Sequence, residues 1–470
     1  MPGRLILPAL RWRDDTGFAH EADTITAALR FGAGGFILFG GTPEAVQALT
    51  EDLRELAGRP LLIAADLERG AGQQFPGLTE FPPPAALAAL NDPTVIREAA
   101  ATTAREALEL GINWVLAPVA DLDIEPANPI VQTRSFGADP ASVGRAVEEW
   151  VTACQHTGAL ACLKHFPGHG RTTRDSHDEV PLVGADAATL DATDLVPFRH
   201  GVQAGVASVM TGHLSVPALD PSGTPATFSA PILAHLRKQL GFTGLIVTDA
   251  LMMGAAVKDA ASNPSVRALI AGCDLLCYPA DPAAAHAAIG EALKAGVLPR
   301  ERVDEAIQRY GEALLRAELE VGPGGSGAGG QSMAIADRLL ARGLMRGQPP
   351  RLTSPIDLVI VDDDQGGAWP ASPNSYVALA LQEAHVAVGP GGSRIVLAFA
   401  EPRASKGRSG FGTASLDVLQ AFAPDAAAVI VFGHPRLAAE VPGTAPLVVA
   451  WHRQRLTQEA AARWILERLA

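Results

Sequence analysis

Short apolar runs alternate with longer amphipathic stretches through the first two-thirds of the chain. Eight such runs precede residue 282: Arg4–Leu10, Gly35–Phe39, Leu61–Asp66, Trp114–Asp121, Ala159–His165, Ala207–His213, Leu245–Asp249 and Asp274–Tyr278. Each reads as a strand, and the Ala/Leu/Glu/Arg-rich stretches between them read as helices. Eight strands alternating with helices over this length predict a (β/α)8 barrel. A doubly wound open sheet is the structural competitor. No dinucleotide-binding glycine fingerprint follows any strand, which weighs against a nucleotide-dependent enzyme.

A helical pattern from Arg302 to Leu319 closes this region, and VGPGGSGAGGQ (Val321 to Gln331) follows as a flexible linker. Beyond it, Ser332–Leu344 reads as an amphipathic helix. Ile356–Val361, Arg394–Ala400, Ala428–Phe432 and Pro446–Ala450 read as buried strands separated by Ala-rich helices. The expected organisation is a barrel over 1–320, a linker over 321–331, and a small α/β domain over 332–470. Gly389 to Gly392 precedes a strand, so it is a turn and not a phosphate cradle.

Composition narrows the partners. The 470 residues carry a formal net charge of −14, with 48% hydrophobic and 19% charged residues. That balance argues against nucleic acid or an anionic membrane as the main partner. The four cysteines, Cys154, Cys162, Cys273 and Cys277, sit in apolar segments and read as reduced core thiols rather than metal ligands. The apolar run before Arg11 is too short for a signal or spanning segment, so a cytoplasmic protein is expected.

The polar ends of the strands carry the chemistry. The third run ends in Asp66, the fourth in Asp121 with Arg134 in the following loop, and the fifth in Lys164-His165. The sixth ends in His213 and the seventh in Asp249. One such residue is ordinarily a loop charge or a helix cap. Five successive strands ending this way are what a barrel's catalytic rim requires. A carboxylate at a strand end, such as Asp249, can attack an anomeric carbon or stabilise an oxocarbenium-like transition state. The loop after the fifth strand carries Asp175 and His177, close enough for the carboxylate to orient the imidazole and tune it as a general acid and base. A metal site built from His165, His169, His177 and His213 with Asp66 and Asp249 is the rival reading. It lacks any H-E-x-x-H or comparable spacing. His169, between two glycines, reads as a structural residue holding the loop.

The stretch LKHFPGHGRTTRDSH (Leu163 to His177) closely resembles glycoside hydrolase family 3, in its bacterial N-acetyl-β-glucosaminidase branch. APVADLDIEPANPIVQTRSFG, MTGHLSVPALD and GFTGLIVTDALMMG add to the likeness, which spans residues 1–320. The resemblance implies a retaining exo-enzyme with no cofactor or metal, acting on terminal β-N-acetylglucosamine of cell-wall muropeptides. It implies Asp249 as nucleophile, His177 as acid/base and Asp175 as its orienting partner. It further implies Asp66, Arg134, Lys164 and His165 as sugar ligands, with Asp121 and His213 at family-typical positions. Where the family commonly has D-x-E-G-G-R-V-Q-R-F, this chain has DLERGAGQQF, so Arg69 is the candidate to replace a sugar-binding arginine from a neighbouring position. Thr248-Asp249-Ala250 leaves one aspartate where the family often has two. A β-glucoside phosphorylase, a β-glucosidase and an inactive sugar-binding protein are the alternatives.

Overall fold

The structure, a computed structural model, describes residues 2–176, 178–254, 263–319, 329–364, 371–403 and 406–470. They form two units. The first is 1–79, 93–124 and 135–326, and the second is 80–92, 125–134 and 327–470.

In the first unit Ile6–Leu7 (β1) and Ala9–Arg11 (β2) are two halves of one strand interrupted at Pro8. Gly35–Phe39 (β3), Leu62–Ala65 (β4), Trp114–Val115 (β5), Leu160–Phe166 (β6), Ser208–Thr211 (β7), Leu245–Thr248 (β8) and Leu276–Cys277 (β9) follow. β2 to β8 pair in order, all in parallel. A bridge from Val247 to Leu275 and the β9–β1 pairing close the ring. The result is the expected eight-position parallel barrel, and the open sheet is excluded. Its strands are apolar on both faces because the lumen and the outer helices each bury one side, as at Ile63, Val115, Leu160 and Ile246.

The helices start on a recurring local signal. Thr42, Asp139, Asn263 and Asp281 each cap a helix through a side-chain oxygen, and a proline stands at the next position. The cap satisfies an orphan amide, and the proline needs none. The fourth run is a shorter strand than expected. Pairing stops after Val115 because Pro118 has no amide hydrogen to give the ladder. The chain then stays beside β6, with the Ala120 amide 2.7 Å from the Lys164 carbonyl.

The second unit carries a five-stranded sheet of order β10-β14-β13-β12-β11. Ile356–Asp362 (β11), Ser393–Ala400 (β12), Ala428–Gly433 (β13) and Leu447–Val449 (β14) are parallel, and match the four expected strands. Leu344–Arg346 (β10) pairs antiparallel with β14 and is a fifth strand that the pattern did not predict. Along β12, Ile395, Leu397 and Phe399 face helices Gly329–Arg342, Tyr376–Glu383 and Arg455–Leu466. Val396 and Ala398 face helix Thr413–Phe422.

Two expectations about organisation are corrected. Gly329, Gly330 and Gln331 open a helix and are not linker, while 320–328 lie outside the described residues. The chain also does not divide at a single boundary, because 80–92 and 125–134 belong to the second unit. Composition marks where a chain is loose, whereas long-range bonds decide where it packs. The amide of Gln454 donates to the Phe81 carbonyl at 2.7 Å, and Arg338 pairs with Asp92 at 3.1 Å.

Candidate active site

Asp66 follows β4, Lys164 and His165 lie in β6, and Asp249 follows β8. These are alternate strands of the ring, and alternate strands of a parallel barrel place their side chains in one layer. Within that layer Lys164 Nζ lies 2.7 Å from Asp66 Oδ1 and 2.7 Å from Glu68 Oε1. The Cys277 thiol of β9 feels several of these charges. Burial pushes its pKa well up, the charges of Asp66 and Asp249 push it further, and Lys164 opposes them. Both carboxylates and the ammonium thus act on a single atom of β9.

The loop after β6 is held by Asp121. This buried carboxylate accepts the backbone amides of His165 and His169, at 3.1 and 2.7 Å, and its Oδ2 lies 2.7 Å from His165 Nδ1. Burial alone raises the Asp121 pKa, but the His165 imidazole and the hydrogen bonds from both histidines outweigh it, and the carboxyl sits below its usual range. A proton on Nδ1, facing the Asp121 carboxylate, leaves Nε2 of His165 as its unprotonated ring nitrogen. Pro167-Gly168-His169-Gly170 can bend this tightly because Gly168 has φ +127° and a Cβ at Gly170 would lie 2.0 Å from the Leu122 carbonyl oxygen. His169 is structural, as expected. Its ring nitrogens meet Thr172 Oγ1 at 2.6 Å and Ser176 Oγ at 3.1 Å.

Asp249 is half-buried, and its Oδ1 accepts the Ala250 amide at 2.7 Å. Its own amide donates to Thr211 on β7 at 3.2 Å. His213 is fully buried, stacks on Phe228, donates from Nε2 to the Ala250 carbonyl at 3.2 Å, and meets the Thr227 hydroxyl at 2.8 Å. It therefore braces the turn that carries Asp249.

Asp121 and His213, expected at family-typical positions, are both enclosed, with partners in the backbone and the neighbouring loops. Asp175 is buried, and its carbonyl accepts the amides of Asp178 and Glu179, both at 3.2 Å. His177 lies outside the described residues. Arg69 is half-buried, with its amide donating to Gln73 Oε1 at 3.0 Å. Arg134 belongs to the second unit, in the turn Gln132–Arg134, where its guanidinium donates to the Ile130 carbonyl at 3.2 Å. Glu68 was missed. The available signal was a second acid two positions beyond Asp66, opposite a lysine on a buried strand. Among the described residues no three His, Cys, Asp or Glu side chains are grouped so as to hold a metal, and no helix is long and apolar enough to cross a membrane.

Residues 17–312 match the model of the glycosyl hydrolase family 3 N terminal domain. The chain belongs to this family. Beta-hexosaminidases of Thiobacillus denitrificans and Alkalilimnicola ehrlichii are 38% and 36% identical over 52% and 58% of this chain, covering 70% and 81% of theirs. A beta-N-acetylglucosaminidase/beta-glucosidase of Cellulomonas fimi is 35% identical over 61% of the chain, a match spanning 52% of that relative's length. A family 3 beta-N-acetylglucosaminidase from Paenibacillus sp. str. FPU-7 superimposes with TM-score 0.86 at 26% identity, covering 100% of this chain and 96% of that one. The barrel rim of this glycoside hydrolase is therefore the place to seek its chemistry.

Proposed function

We propose that this glycoside hydrolase is a retaining exo-β-N-acetylglucosaminidase. The observation that carries the reading is the buried Lys164 ammonium held by Asp66 beside Glu68, with Asp249 at the end of a further alternate strand of the same barrel. In the first step a carboxylate oxygen of Asp249 attacks the anomeric carbon. The glycosidic bond breaks, and its electron pair leaves with the aglycone oxygen, which takes a proton from His177. In the second step His177 removes a proton from water, and the water oxygen displaces Asp249. Asp175 orients the imidazole. Asp66, Lys164 and His165 bind hydroxyls of the terminal sugar, with Arg69 in the replacement role. Relatives named beta-hexosaminidase and beta-N-acetylglucosaminidase support N-acetylglucosamine as that sugar, and the sequence resemblance extends the reading to muropeptide fragments of the cell wall processed in the cytoplasm.

The test is a panel of p-nitrophenyl β-glycosides with and without phosphate. The N-acetylglucosaminide is expected to be hydrolysed fastest, with the β-anomer as first product and no sugar 1-phosphate. Faster cleavage of the glucoside, an inverted product, or phosphate-dependent turnover would each overturn the reading.

A further inference from the structure

Lys164 is one of the most enclosed ammonium groups in the chain, with its side chain 2% exposed. A buried cation needs a counter-charge, and one carboxylate is enough for that. Here there are two, each at 2.7 Å, and they differ in exposure. Glu68 is 7% exposed, whereas Asp66 is 29% exposed. The enclosed carboxylate is the permanent partner, and the exposed one can exchange the ammonium for another donor. We propose that Glu68 is a positioning residue that carries the charge of Lys164 inside the barrel mouth, so that Asp66 remains an acceptor for substrate hydroxyls. This rests on the reading of Asp66 and Lys164 as sugar ligands given above.

The buried ammonium and a sugar hydroxyl compete for one carboxylate. Without Glu68, the attraction of the buried ammonium falls wholly on Asp66, and a sugar hydroxyl must displace a charge-assisted bond to reach it. With Glu68 in place the trio carries a net negative charge, and Asp66 can turn to the sugar while Lys164 stays neutralised. Among the described residues, Lys164 also acts on the thiols of Cys162 and Cys277, and Asp249 on that of Cys277. Burial holds both thiols neutral, so neither supplies the counter-charge that Glu68 does.

The test uses Glu68→Gln, which keeps shape and removes charge, alone and combined with Asp66→Asn. Kinetics on the aryl N-acetylglucosaminide and calorimetric affinity for free N-acetylglucosamine are the readouts. Glu68→Gln should raise KM and the monosaccharide Kd by about tenfold while kcat stays within roughly threefold, because the lost interaction acts on binding. In the Asp66→Asn background the same change should add less than about twofold, since the acceptor it protects is already gone. Equal increments in both backgrounds, or KM and Kd within about twofold of wild type, would overturn the proposal, the first because a general structural role is additive. Should Glu68→Gln not fold, Glu68→Ala, which also removes the charge, is read by the same two comparisons. If the wild-type enzyme cleaves no aryl glycoside, the proposed activity fails by itself, and the monosaccharide affinities still decide the role of Glu68.

Discussion

Asp121 Oδ2 lies 2.7 Å from Nδ1 of His165, and the same carboxylate accepts the backbone amides of His165 and His169. One buried acid thus sets both the tautomer of a rim histidine and the path of the loop that leads to Asp175. Removing it would leave three donors facing a hole. Asp121→Ala should lose about 3–5 kcal/mol of stability, read from the urea midpoint, and should lower kcat/KM as the loop loosens. Because the folded Asp121 pKa lies below the unfolded value of about 3.9, its stabilisation is fully present above that pH. It is lost as pH falls through the folded pKa. Wild type should therefore destabilise on acidification below about pH 4 more steeply than Asp121→Ala.

Asp249→Ala should reduce release of p-nitrophenol by roughly 10³-fold or more while the fold is retained, because Asp249 is the carboxylate that attacks in the proposed first step. Azide offered to this variant should restore turnover and give an α-glycosyl azide. Turnover near the wild-type rate would remove Asp249 from the role of nucleophile.

His213→Ala separates bracing from contact. The Ala250 carbonyl and the Thr227 hydroxyl would each lose a buried partner, at about 1–3 kcal/mol, measured as a lower urea midpoint. Since His213 is fully enclosed, kcat should fall through the displaced Asp249 turn, with affinity for free N-acetylglucosamine little changed. A large loss of monosaccharide affinity at unchanged stability would instead make it a ligand.

Asp274, just before β9, is wholly buried and paired with Arg237 and Arg302 at 2.5 Å and with Arg309 at 3.0 Å. Burial pulls the Arg237 pKa down to about 10, with Asp274 opposing. The cluster adjoins the Ile246 amide near the start of β8, at the end of the barrel away from Asp249. Residues at that end govern stability rather than chemistry. Asp274→Asn should cost about 3–5 kcal/mol and leave KM unchanged in the folded fraction.

The four thiols offer an inexpensive check on the packing. All are buried, and burial raises Cys154 and Cys273 above the ordinary thiol range and pushes Cys162 up to about 12. Ellman's reagent should find none in the native protein at pH 8 and four after unfolding. Rapid reaction of one thiol in the native state would contradict the closed barrel core.

Local pattern determined the strands, the helices and the positions of the rim. A run such as Leu245–Asp249 has one way to bury four apolar residues and expose the acid that follows, so strand, order and candidate chemistry are all written in adjacent residues. The Pro167-Gly168 punctuation after His165 likewise marks a loop from sequence alone. What the tertiary structure decided was which polar residues meet. Asp121 and His213 look like Asp66 and Asp249 in sequence, since each ends a strand, and only the tertiary structure encloses the first pair while leaving the second partly exposed. Glu68 pairs with a lysine 96 positions away, and 80–92 and 125–134 join a unit whose other residues begin at 327. Such facts depend on distance through space and on the cost of leaving a charge dry and unpaired, and neither quantity is a property of neighbouring residues.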